Sequence, residues 1–149
     1  MTKALTAVGA ALALALLVLG LVIYLNREED AIAVDNLLAE SITREIGTAE
    51  QRGENVDLSD LTQFDWDAVL IAGKTATRKD ISRAVGSPWK GDLAFRTGDL
   101  LIFVRGKHVT RFADYRGEGH FEGIKRPFAR FDRKDAVFRV RSLVIRPRP

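Results

Sequence analysis

The chain has no cysteine, two histidines, one methionine and four prolines in 149 residues. Without cysteine there is no disulfide framework, no thiolate metal site and no lipid-modified N-terminal cysteine, so the fold must rest on its core. Nucleophilic catalysis has little to work with. There are five serines, none in a Gly-x-Ser-x-Gly turn, and His108 and His120 are the only imidazoles. His108 opens an expected strand. His120 lies in a glycine-rich loop, GEGHFEG, between Glu118 and Glu122. Alternating acids and a histidine in a loop make a poor metal template without further ligands. Asp57, Asp60, Asp65 and Asp67 are close in sequence, but aspartates before a strand cap turns more often than they pair to cleave glycosides. Neither enzymatic activity nor a metal or cofactor is expected. There is also no internal repeat and no low-complexity tract.

One long hydrophobic run is present. Residues 4–25 are 22 residues without charge or proline, flanked by Lys3 and by Arg27 to Asp30. A bilayer core of about 30 Å needs about 20 helical residues, so the run is long enough to span it. A cleaved signal peptide has a shorter apolar stretch ending near a small-x-small site. The triplet Ala31-Ile32-Ala33 is separated from this run by charged residues. The expectation is an uncleaved transmembrane signal anchor over 4–25, an integral single pass of a bacterial inner membrane. The N-terminus would be cytoplasmic and the C-terminal domain periplasmic.

Residues 26–149 number 124, enough for one domain. Their charge is uneven. Residues 26–70 carry three basic and twelve acidic side chains, and residues 71–149 carry nineteen basic and eight acidic ones. The two halves are expected to compensate each other within the fold; a basic binding face is the other reading.

Steps of three and four along Val34, Leu37, Leu38, Ile42, Ile46 and Ala49 mark one helical face over 28–50, onto which the anchor helix is free to run. This helix and the loop to Gly53 form a segment over 26–53, followed by an extracytoplasmic α+β domain over 54–149. Ala68–Ala72 is a short apolar run bounded by Gly73, the pattern of a buried strand. Thr77 and Asp80 form a capping-box pair for a helix over 78–85, which Gly86 and Pro88 terminate. Residues 100–104 and 109–113 are expected to pair across Arg105-Gly106-Lys107. A second hairpin is expected from 128–131 and 136–141. In its last strand Phe138 and Val140 share one face, and Arg139 and Arg141 the other. The fold class expected is α+β: a single N-terminal transmembrane helix, then a small domain whose mostly antiparallel sheet, of four or five strands, is packed by helices.

Leu61-Thr62-x-Phe64-x-Trp66-Asp67, the strand and capped helix after it, and Asp135-Ala136-Val137-Phe138 together resemble a family of small bacterial envelope proteins. Those proteins carry an N-terminal anchor or lipoprotein signal and have no assigned activity. The resemblance covers residues 58–140. A Gly-Pro-Tyr-Thr segment frequent in the family is replaced here by Gly73-Lys74-Thr75-Ala76-Thr77. The resemblance implies a single envelope domain and supplies no catalytic residues.

The expected function is binding of another protein, as an accessory subunit of an envelope assembly or as an immunity protein against a periplasmic toxin. The alternative is a cell-envelope enzyme acting on peptidoglycan or lipid. Nucleic acid and a small-molecule substrate are not expected partners. The candidate partner-binding residues are Trp66, Asp67, Trp89, Arg139 and Arg141. The two tryptophans also suit core packing.

Overall fold

A computed structural model describes residues 14–19, 32–94, 96–124 and 127–148. The chain divides into two units, Met1–Ala31 and Ile32–Pro149. In the first, only residues 14–19 are described, and they are helical and exposed. Among the described residues no helix is long and apolar enough to cross a membrane. The expected spanning helix is corrected accordingly, and with it the single-pass inner-membrane localisation. The remainder of 4–25 lies outside the described residues.

The second unit is a small α+β domain with antiparallel-rich sheets. It opens with non-helical backbone at residues 32–35. Val34 bridges Phe112, and the Asp35 N–H donates to the Phe112 carbonyl at 2.8 Å. Asp35 then caps helix α1, Asn36–Arg52, by accepting from the Leu38 N–H at 2.9 Å. The buried stripe of α1 is Leu38, Ala39, Ile42, Ile46 and Ala49; Leu38, Ile42, Ile46 and Ala49 are on the expected face, Ala39 joins them, and Leu37 is exposed. Helix α2, Arg78–Val85, has the expected capping box between Thr77 and Asp80. It ends at Gly86, whose φ of 84° is a left-handed conformation that favours glycine.

Among the described residues eight strands form two sheets rather than one. The central sheet has the order β4-β3-β2-β6, with β2 Ala68–Ala72, β3 Asp99–Arg105, β4 His108–Tyr115 and β6 Phe128–Asp132, all antiparallel. The outer sheet has the order β1-β7-β8-β5, with β1 Asn55–Asp57, β5 His120–Phe121, β7 Val137–Arg141 and β8 Val144–Pro147. Its β5–β8 pair is parallel. The expected hairpin of 128–131 with 136–141 does not form. β6 pairs with β2, whereas β7 pairs with β1 and β8. A 3-10 turn at Arg133–Asp135 carries the chain from one sheet to the other.

The two middle strands of the central sheet, β2 and β3, are buried on both faces. Val69, Ile71, Leu101 and Phe103 meet α1 and the inner face of the outer sheet, represented by Val56, Phe138, Val140 and Ile145. Leu70, Leu100 and Ile102 meet Ile81 and Val85 of α2, together with Trp89. This explains the unbroken apolar runs in β2 and β3: every position from Ala68 to Ala72 and from Leu100 to Val104 is buried. A buried carboxylate holds the entry to β3. Asp114 accepts from the N–H groups of Thr97 and Gly98 and from Arg116 Nε at 3.2, 2.9 and 3.1 Å. Burial pushes this carboxyl up, but those donors outweigh it and hold Asp114 below the usual carboxylate range. A Cβ at Gly98 would overlap the Tyr115 carbonyl, so only glycine allows this approach.

Candidate functional site

β7 alternates strictly: Phe138 and Val140 are buried, and Arg139 and Arg141 are exposed. β8 continues the pattern, with Ile145 buried and Arg146 exposed. The antiparallel register sets Arg139 directly opposite Arg146 and Arg141 opposite Val144. The outer face of the outer sheet therefore carries three arginines on two adjacent strands. Together with Val144 and Pro147 they line an open depression of about 350 Å³. Like charges directly opposite on a sheet face destabilise it. Arg146 is relieved by Glu122, whose carboxylate receives both Nε and Nη2. Among the described residues neither Arg139 nor Arg141 forms an ion pair.

The turn between β7 and β8 adds a second unusual feature. Ser142 and Leu143 have φ of 51° and 61°, and neither is glycine. A left-handed backbone at a non-glycine residue costs on the order of 1–3 kcal/mol. The turn is held from both sides: the Leu143 N–H donates to Glu50 Oε2 of α1 at 2.9 Å, and its carbonyl accepts from the His120 N–H at 2.9 Å. Leu143 is itself exposed beside the arginine face.

The five candidate residues are not brought together. Trp66 and Trp89 lie in the core clusters on opposite faces of the central sheet, so their expected place on a binding surface is corrected. Trp66 is 2% exposed, packs edge-on against Phe103 at 5.1 Å, and donates its indole N–H to Thr62 at 2.7 Å. Trp89 is 3% exposed and packs against Phe112 at 5.0 Å. A large ring in a small domain buries more apolar surface than any other side chain, and both tryptophans are used that way. Asp67 is exposed but acts as a latch. Its Oδ2 accepts from the Gly106 N–H at 2.8 Å, fixing the β3–β4 turn. Of the five, Arg139 and Arg141 share a surface.

The aspartates before β2 also serve the backbone. Asp57 accepts from the N–H and hydroxyl of Ser59, at 2.8 and 2.6 Å, and Asp65 lies 3.7 Å from Arg105. Charge compensation between the two halves of the sequence is partial. The Asp35–Arg111 and Asp65–Arg105 pairs join the halves, whereas Arg146 is paired within its own half and, among the described residues, Arg139 and Arg141 stand without one.

A second depression, of about 470 Å³, lies between the β2–α2 loop and β5, with Lys74, Asp99, His120, Phe121 and Glu122 in its lining. Burial raises the Asp99 carboxyl above its ordinary range, with Lys74 and the N–H of Phe121 pulling the other way. Those N–H groups mark Asp99 as a tie between β3 and β5. Among the described residues no group of three or more His, Asp or Glu side chains is arranged to hold a metal ion. Arg146 and Glu122 were absent from the sequence candidates. The signal for Arg146 is weak alternation across Val144-Ile145-Arg146; the meeting of Glu122 with Arg146 has no sequence signal, because it depends on the parallel β5–β8 register.

No family model, curated protein or solved structure matches this chain.

Proposed function

We propose that this protein is a binding module that takes an acidic protein surface on the bare face of its outer sheet. One observation carries the reading: Arg139 and Arg146 are opposed on an exposed face, with Arg141 adjacent, and two of the three have no ion pair among the described residues. Nothing in the packing of the domain needs that arrangement, and its like-charge cost is relieved by a partner of opposite sign. An accessory subunit of an assembly and a toxin-neutralising immunity protein are both instances of such a binder.

The test is capture of a stoichiometric partner from extracts of the source cells with the full chain and three variants. Arg139→Glu/Arg141→Glu is expected to lose the partner. Lys79→Glu on α2 and His120→Ala are expected to keep it. A partner retained by the double arginine variant and lost with His120→Ala would overturn the proposal and favour chemistry around the β5 loop.

A further inference from the structure

Resting on that reading, we infer that the arginine face takes an extended segment with carboxylates at alternate positions, and that Glu122 is the domain's own competitor for this ligand at Arg146. Arg139 and Arg141 are two residues apart on one strand, so their Cα atoms are about 6.5–7 Å apart. An extended ligand spaces its i and i+2 side chains by the same distance and places them on one face. A Glu-x-Glu pattern therefore meets both arginines in register, and each guanidinium fork suits a carboxylate.

Glu122 marks the chemistry the third arginine prefers. It follows β5, and its N–H donates to the Ile145 carbonyl at 2.9 Å, which sets it beside Arg146. Its carboxylate takes both Nε and Nη2 of that guanidinium. The ion pair is redundant for holding the strand, because the backbone bonds from His120 to Leu143 and from Glu122 to Ile145 already dock β5 on β8. The side chains of Glu122 and Arg146 remain 47% and 65% exposed, so the pair is weak and open to exchange with a carboxylate from outside. The domain thus presents two arginines ready for a ligand and a third that the ligand must take from Glu122.

Fluorescence anisotropy on the full chain tests this, with a labelled Glu-Val-Glu-Val-Glu peptide as probe. A Gln-Val-Gln-Val-Gln peptide and a 12-mer oligothymidylate serve as comparison ligands. The acidic peptide is expected to bind in preference to both. Arg139→Glu/Arg141→Glu should weaken it by about tenfold or more. Glu122→Gln should tighten it by about 2–5-fold, the range of an exposed ion pair. Glu118→Gln removes the same charge from the same loop without touching Arg146, and should change affinity less than Glu122→Gln. If the double arginine variant loses the peptide while Glu122→Gln binds no tighter than Glu118→Gln, the competitor role is overturned and the binding face stands. If the double variant binds the peptide as well as the parent does, the face itself is wrong. Preference for the oligothymidylate would overturn the acidic-segment ligand.

Discussion

The central and outer sheets are built on the same hydrogen-bonded ladder, yet only the outer sheet keeps a bare face. In the central sheet β2 is buried at all five positions, and β3 at every position between Asp99 and Arg105. Side chains on both faces are committed to packing, by α1 and the outer sheet on one side and by α2 with Trp89 on the other. In the outer sheet Phe138, Val140 and Ile145 are committed inward, while Arg139, Arg141 and Arg146 bear no packing load. The difference separates two kinds of sensitivity: substitutions in the central sheet register in stability, and those on the outer face register in recognition.

The largest effects belong in the central sheet. Phe103 and Ile102 are both fully buried and lie in different core clusters. Phe103→Ala should destabilise the protein by about 3–5 kcal/mol and Ile102→Ala by about 2–5 kcal/mol, read from urea unfolding. Phe103 also carries edge contacts to Phe64 and Trp66, at 5.4 and 5.1 Å. Losses under 1 kcal/mol at both positions would erase the distinction between the sheets.

Asp114 sharpens the comparison through pH. Its carboxyl is held below the ordinary value of 3.8 despite burial, by donors at Thr97, Gly98 and Arg116. A depressed folded pKa gives stability that is present above the unfolded value and is lost as pH falls through the folded one. Asp114→Asn should therefore cost about 1–3 kcal/mol at neutral pH, and the gap should narrow below about pH 4. A gap that is constant from pH 7 to pH 3 would assign the loss to geometry rather than charge.

The β7–β8 turn gives a smaller effect of opposite sign. Ser142→Asn with Leu143→Gly supplies residues that tolerate the left-handed conformations found there, and should stabilise the domain by about 1 kcal/mol. A lower melting temperature would show that the Leu143 side chain contributes more than its backbone costs.

The parts of this architecture that were legible in the sequence are those governed by local rules. The apolar runs at 68–72 and 100–104 signalled strands, the first of them buried, and Thr77, Asp80 and Gly86 signalled a capped helix. Alternation placed Arg139 and Arg141 outward. What stayed hidden depends on tertiary pairing. β1 and β5 have three and two residues, too few to show a period, and they exist because β7 and β8 offer them edges. Proximity in sequence suggested that β6 and β7 form a hairpin, but the 3-10 turn between them changes sheets. The start of α1 is set by Asp35 bonding to β4, a contact no periodicity encodes. Aromatic type alone did not distinguish buried Trp66 and Trp89 from surface anchors. The cross-strand meeting of Arg139 with Arg146, on which the site depends, needed the register.

The most direct measurement combines unfolding and binding on one variant. Arg139→Glu/Arg141→Glu should leave the urea midpoint unchanged or slightly higher, because it removes the like charge opposite Arg146, with a change within about 0.5 kcal/mol. The same sample should bind the alternating acidic peptide about tenfold or more weakly. A fall in stability of more than about 1 kcal/mol with peptide binding retained would contradict the account, because the arginines would then belong to the fold and not to a binding face.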